Sequence, residues 1–517
     1  MASFIFLYLV AISSVYFLRR LLSRGQRLKQ PPGPKGLPIL GNLFDVPATD
    51  TEPQKTFLQW SQKYGSNLLY ISLPSQPTLI VNSAEVALNL LEKRSHIYSD
   101  RAVSTIDELV GLDFIFGMMP YAAKWRSHRK LFYQYFNSNA ISQYLPCQLF
   151  SIRAFLWRSL QPTHDLQQSI NLMFGSLILK VVYGADVDDL KHEYINLAHE
   201  VMDIANEAHT IGKFWIDYFP FFKNVPGWLP GVHFKRFAEM KRPILEKAKR
   251  KPYEDVKIAA AKVNAQPSMA YLLLEKLQRS RKEMSLEEYL QQEDMVIGTT
   301  GIAYSGGVDT SAASSQSFIL SMAMHPDIQR KALMEIDAHI NLDRLPDDSD
   351  YGSLPYIRAI ILEVMRWRPV TPLGFPHRLT EDDEYNGYFI RKGTVVYTNI
   401  WAMTRDPIEY PDPETFNPER FLKDGQLDPT VRDPRTLTFG FGRRICPGRE
   451  FSTQTIFLFV ASVLQIYNIE PAKDENGKSV DLHSIKYTSG GILAPKSLPC
   501  VLTPRSEAAQ RLILQSE

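Results

Sequence analysis

Ten residues near the C-terminus, FGFGRRICPG from Phe439 to Gly448, limit what this chain can fold into more than any other stretch. Glycines at Gly440, Gly442 and Gly448 and a proline at Pro447 mark a tight turn rather than a regular helix or strand. The turn carries a cysteine beside two arginines. A structural cysteine keeps apolar company, whereas a cysteine among cations is held for its thiolate. The chain has only three cysteines, Cys147, Cys446 and Cys500, with no CxxC pair. That pattern argues against a disulfide scaffold or a zinc ribbon and fits a reducing compartment. A glycine-rich phosphate turn is the competing reading. It fails because the G-x-G is incomplete, no P-loop lysine follows and no strand precedes it.

The rest of the chain has to supply what surrounds that cysteine. At 517 residues and 44% hydrophobic it can bury a large core. No linker, charge block or repeat divides it after the first thirty-odd residues, so one large catalytic domain is expected. A net charge of +2, with no basic stripe interleaved with aromatics, gives no argument for nucleic acid. The N-terminus breaks the globular character. Ala2 to Leu18 carries no charge, and Arg19, Arg20, Arg24, Arg27 and Lys29 follow it. The run lies near the lower limit of about 17 residues for a spanning helix, and Leu21 and Leu22 extend it. A cleaved signal would want positive charge before the run and a small-residue cleavage site after it. The expectation is a single-pass transmembrane anchor over 1–22 and a basic, proline-rich hinge over 23–36. A catalytic domain over 37–505 and a tail over 506–517 follow. The positive-inside rule leaves everything after Arg19 facing the cytosol.

Leu68–Leu73 and Thr78–Val81 read as strands, as does a group around Gly387–Thr398 with a turn at Gly393. Helical patterns cover Leu90–Tyr98, Ala122–Phe136, Asp165–Tyr183, Lys191–His209, Phe237–Asn264, Leu286–Met324, Ile328–His339 and Tyr356–Trp367. A further helix follows Cys446. The class is mainly α with a minor β part. Phe214–Pro230, dense in aromatics and prolines, reads as a membrane-dipping or substrate-entry surface, or as a loop tucked onto the core.

Within the longest helix, Gly298, Gly301, Gly306 and Gly307 each cost roughly 1 kcal/mol relative to alanine. Several such costs imply that something approaches the backbone closely, either a ligand or simply a neighbouring helix in close packing. Asp309 and Thr310 add an acid and a hydroxyl beside the glycine pair, and the hydroxyl can bond back four residues and open a polar notch. Glu363 and Arg366 share one helical face. Taken alone they read as a surface ion pair worth little, but Arg420, in PERF, could join them in a buried network. Trp125 and Arg129 lie four apart, suited to an anion or to a solvated basic face. His199-Glu200 lacks a second histidine at HExxH spacing, so no catalytic zinc is indicated.

In this order the residues resemble the cytochrome P-450 family over roughly residues 30 to 505. The proline-rich hinge comes first, then WRSHR, Gly306-Gly307-Val308-Asp309-Thr310, the ExxR pair Glu363 and Arg366, PERF, and the loop at Cys446. FxxGxRxCxG is highly specific, whereas ExxR alone is not. The resemblance implies a helical haem domain with small β-sheets and a haem b whose iron is held by the Cys446 thiolate. Arg101, Trp125, Arg129, His377 and Arg444 are then donors to the haem propionates. Gly442 and Gly448 give clearance for the macrocycle, and Phe439 packs beside the sulfur. Thr310 and Asp309 are the expected catalytic pair, delivering protons to bound dioxygen. Glu363, Arg366 and Arg420 are structural. Ser311 departs from the second threonine many relatives carry.

The implied activity is a monooxygenase that takes electrons from an NADPH-dependent reductase and oxidises a lipophilic substrate with O2. The layout is most similar to fungal microsomal members of secondary metabolism, of the O-methylsterigmatocystin oxidoreductase and tryptamine 4-monooxygenase kind. That places the chain in the endoplasmic reticulum membrane. The expected pocket wall is Ala102–Pro120, Phe214–Pro230, Ile302–Gly306, Val370–Phe375 and Thr488–Ile492. Phe114, Phe116, Met118, Val370, Leu373, Phe375 and Ile492 would make it apolar. This favours a terpenoid or polyketide, with a small aromatic or indole as the alternative. A reductase-independent isomerase or dehydratase is a further alternative, disfavoured because Asp309-Thr310 is intact.

Overall fold

The computed structural model describes residues 29–47, 52–102, 104–161, 165–189, 192–228, 231–341 and 343–514. The expected anchor over 1–22 lies outside these residues, and no helix among them is long and apolar enough to cross a membrane. The longer helices are α1 Pro53–Tyr64, α2 Thr105–Val110, α3 Ala123–Phe136, α4 Leu145–Arg158, α5 Leu166–Tyr183, α6 Glu193–Ala208, α7 His233–Ala261, α8 Met269–Arg279, α9 Leu286–Met324, α10 Pro326–His339, α11 Pro355–Trp367, α12 Arg449–Ile466 and α13 Glu507–Leu514.

α9 is the axis of the molecule. A capping box at Ser285 and Glu288 starts it, and it runs unbroken for 39 residues. Its first half packs with α5, α6, α7 and α8 in one apolar cluster, its second half with α4, α10, α11 and α12 in another. α12 is buried from Gln454 to Ile466, so it threads the core behind the turn that carries Cys446.

The sheets are small. β1 Leu68–Ile71, β2 Thr78–Val81, β3 Asp100–Arg101, β4 His377–Arg378 and β7 Val395–Thr398 form one sheet in the order β1-β2-β7-β4-β3. Between them in sequence, β5 Asp383–Tyr385 and β6 Tyr388–Ile390 make a separate hairpin. The turn at Gly393 therefore does not pair its two flanks. β6 stays in its hairpin, while β7 pairs parallel with β2. The β3–β4 pairing sets Arg101 directly opposite His377, which matters for the site.

Two terminal segments are more tightly held than the sequence suggests. In the proline-rich hinge, the Tyr70 amide donates to the Pro32 carbonyl at 2.9 Å, and a Cβ at Gly33 would meet the Tyr70 oxygen at 2.0 Å. The segment is laid along β1. The residues after 505, read as a tail, form α13, whose Ala509, Leu512 and Ile513 are buried.

Candidate active site

The turn after Phe439 closes on itself. The Cys446 amide donates to the Phe439 carbonyl at 2.7 Å, and Gly440 and Gly442 take positive φ of 80° and 53°. The chain then enters α12, whose N-cap is Gly448. Cys446 faces a cavity of about 310 Å³ that α3, α5, α6, α9 and the residues after α11 enclose. Burial pushes its thiol up, while the Gly448 amide, Arg129 and Arg449 favour the thiolate.

Around the same cavity stand Arg101, Trp125, Arg129, His377, Phe439, Arg444 and Gly448. Arg129 donates to the Ile445 carbonyl at 2.6 Å, tying α3 to the cysteine turn. Arg444 donates to the Ser99 and Met119 carbonyls, each at 2.7 Å, and lies 4.4 Å from the Trp125 ring centre. Its Nη1 is buried with no partner. Arg101 is fixed by the carbonyls of Gly117, Phe375 and Pro376. His377 bonds through Nδ1 to the Tyr98 carbonyl, which leaves Nε2 for the cavity. The nearby carboxylate, Asp100, is already engaged by Arg378 and the Tyr121 amide.

Burial and mutual repulsion hold the protons of this cluster loosely. Arg444 falls to about 10, and burial with the Arg444 charge holds Arg101 well below its usual value. Burial and Arg101 do the same to His377. Buried cations without an anion are costly. A flat ligand bearing two carboxylates, with a metal beside Cys446, meets that need. The residues present fit a haem.

Gly442 does not line the cavity. A Cβ there would meet the Leu91 carbonyl at 2.2 Å, so its clearance serves the turn's contact with a π-helical stretch, Asn89–Lys93, and not the macrocycle. Gly448 has nothing within 4 Å and keeps the expected opening. The glycines of α9 divide similarly. Gly298 and Gly301 accommodate Phe114, and Gly307 is pressed by Ile178 of α5, where a Cβ would come within 2.9 Å. Gly306 is open toward the cavity, and Thr310 donates to its carbonyl at 2.9 Å without interrupting the helix. Asp309 does not reach the cavity lining. It turns onto α6, its Oδ1 2.7 Å from His199 Nδ1. Ser311 meets Ser452 of α12 at 3.2 Å.

Glu363 and Arg366 form a fully buried bidentate pair at 2.6 and 2.8 Å, and Arg420 joins Glu363 at 3.2 Å. Arg366 also donates to the carbonyls of Thr404, Pro413 and Thr415, pinning the segment before the cysteine turn.

The distal wall is only partly the expected one. Phe116, Met118, Ile302, Ala303, Val370 and Phe375 line it. Phe114 packs on Gly301 instead, Leu373 joins the cluster around β1, and Ile492 stands one layer back against Met202 and Val370. The Phe214–Pro230 region, as far as it is described, contributes no lining. Its Asp217 instead accepts from the Thr105 and Ile106 amides at the start of α2. Ile178 of α5, and Met202, Ala205 and His209 on or just after α6, complete the wall. The spacing of the last three at one helical face was the available signal, but α6 is amphipathic and its core-packing residues share that face, so the pattern does not set the cavity residues apart.

Fold and cavity together define a haem-thiolate enzyme, and comparison with known proteins agrees. The sequence profile of the cytochrome P-450 family matches residues 31–496, and the chain belongs to that family. It is an oxidoreductase of the monooxygenase type, and its cofactor is the family's haem b. The cytochrome P-450 monooxygenase COX1 of Coprinopsis cinerea is 40% identical over 96% of this chain and 97% of its own. COX2 of the same fungus is 37% identical, over 95% and 92%. The tryptamine 4-monooxygenase of Psilocybe cyanescens is 36% identical, over 96% and 97%.

Proposed function

We propose that the chain is a membrane-anchored haem-thiolate monooxygenase that takes electrons from an NADPH-dependent cytochrome P-450 reductase and oxidises a lipophilic intermediate of secondary metabolism. The carrying observation is a single cavity that joins Cys446 to a group of buried cations whose nearby carboxylate, Asp100, is already engaged by Arg378 and the Tyr121 amide. Arg101, Trp125, Arg129, His377 and Arg444 would hold the propionates, and Cys446 would hold the iron. When bound, the haem supplies activation of dioxygen and insertion of one oxygen atom into a C–H bond. The chain's own residues do the remainder. The Gly448 amide and the start of α12 stabilise negative charge on the sulfur. The apolar wall of Phe116, Ile302, Val370 and Phe375 excludes water and orients the substrate. Thr310 presents its hydroxyl beside the open Gly306, where it holds a proton for the reacting oxygen, and Asp309 supplies that proton.

An apolar wall supports a terpenoid or polyketide substrate. The alternative, a small aromatic or indole, is supported by the tryptamine 4-monooxygenase relative. The apolar run at Ala2–Leu18 followed by arginines supports an anchor in the endoplasmic reticulum with the catalytic domain facing the cytosol. The reduced, CO-bound protein is expected to show the red-shifted Soret band of a thiolate-ligated haem, and Cys446→Ala to lose it. An unaltered band in that variant sinks the assignment. Product masses from candidate scaffolds fed with reductase separate insertion of one oxygen from isomerisation.

A further inference from the structure

Asp309 and Thr310 are adjacent in sequence but face different ways. Thr310 lines the cavity, while Asp309 turns outward from α9 onto α6, 2.7 Å from His199. Neither member of the pair is sealed from water, since His199 is 32% and Asp309 20% exposed. Asp203 and Glu200 on α6, Lys241 on α7 and Tyr304 on α9 are the other titratable groups that face them. Burial disfavours the imidazolium, Asp309 and Asp203 favour it, and the net effect is a raised proton affinity at His199. A lysine or arginine in this position would also hold Asp309, but it would not surrender a proton near neutral pH. Histidine does both.

We propose that His199 loads Asp309 with the proton used at the cavity, and that loading frees the carboxyl group from α6. The inference rests on the role given above to Asp309 and Thr310. The imidazolium passes its Nδ1 proton to Asp309 Oδ1, leaving a neutral imidazole protonated on Nε2 and a neutral carboxylic acid. Solvent water then returns a proton to Nδ1. Before the transfer the contact is charge-assisted, and such bonds are roughly twice as strong as neutral ones. After it both partners are neutral, so the transfer itself weakens the grip that held Asp309 outward. The freed carboxyl group turns toward the Thr310 side of the helix.

The test uses the holoenzyme with its reductase in wild-type, His199→Gln, His199→Lys, Asp309→Asn and His199→Gln/Asp309→Asn forms. Hydrogen peroxide released per NADPH consumed is measured from about pH 6 to about pH 9, across the range where histidine titrates. Loading by His199 predicts that His199→Gln and His199→Lys each raise the peroxide fraction several-fold and flatten its pH profile. Asp309→Asn should match them, with the double variant no worse than either single one. If His199→Lys, which keeps a cation on Asp309, retains the wild-type fraction and profile, the contact is structural and the proposal is overturned. If Asp309→Asn behaves as wild type, the role of Asp309 falls, and the proposal with it. A second readout is independent of turnover. A histidine whose folded-state pKa is raised contributes stability below its unfolded pKa and loses it as pH rises through the folded one. The double-mutant cycle in thermal unfolding should therefore show coupling near pH 6 that fades by about pH 9. No coupling near pH 6 overturns the proposal.

Discussion

Single residues in the cysteine turn carry separable loads. Gly442 has positive φ and a Leu91 carbonyl where its Cβ would stand. Gly448 has ordinary φ of −93° and open space. An l-residue in the left-handed region costs about 1–2 kcal/mol before any clash is counted. Gly442→Ala is therefore expected to lower the melting temperature of the whole protein, because the carbonyl is backbone and cannot swing aside. Gly448→Ala should leave the unfolding free energy of the haem-free protein within about 0.5 kcal/mol of wild type. It should instead weaken haem retention, since the added methyl group points into the cavity. Thermal melts of haem-free and haem-loaded protein distinguish the two. Equal melting losses in both variants would show that the Leu91 carbonyl does not crowd Gly442 in the way described.

Elements were legible where one period ran long and its ends were marked. α9 matches its predicted bounds, because Ser285 and Glu288 cap its start and His325-Pro326 ends its pattern. α7 keeps Pro243 and Pro252 inside a helix of 29 residues, where tertiary burial of Phe237, Leu245 and Tyr253 overrides two lost backbone bonds. α1, α4 and α8 escaped because their patterns are short and mixed, although Pro53 and Pro146 in first turns and Ser268 as N-cap were the available signals. Arg101 and His377 are 276 positions apart, and only the β3–β4 register brings them together. No local pattern encodes that pairing, nor the His199–Asp309 contact between α6 and α9. The network behind the cysteine turn, by contrast, was visible as Glu363, Arg366 and Arg420. Breaking a buried pair by removing one partner costs about 3–5 kcal/mol. Glu363→Ala should lower unfolding stability by that order, because both guanidinium groups then lose their shared carboxylate. Arg366→Lys should rescue little. An ammonium replaces neither the bidentate fork nor the donors to Thr404, Pro413 and Thr415. Denaturant unfolding of the two variants checks both statements.

At the scale of the whole molecule, one corner gathers apolar side chains that the core does not use. Leu37, Ile39 and Phe44 near the start of the described chain are 54%, 71% and 75% exposed, and Phe221 and Trp228 are 71% and 80% exposed. The two segments belong to one surface. Val46 lies against Gly212, and Leu43, Val46, Ile211 and Phe219 share a small cluster with Tyr218. The aromatic stretch after Phe214 thus divides its work. Phe214, Ile216 and Tyr218 are buried, while Phe221 and Trp228 stand outward. A patch of this kind suits the interfacial zone of a bilayer. Burying apolar surface there gains roughly 25 cal/mol per Å². A chain lacking residues 1–28 is therefore expected to sediment with phosphatidylcholine vesicles. Replacing Leu37, Ile39, Phe44, Phe221 and Trp228 with serine should release it to the supernatant while leaving the Soret spectrum intact. Vesicle binding that survives those replacements would assign membrane contact to a different face. Loss of the Soret band together with binding would mean the corner supports the fold rather than docks it.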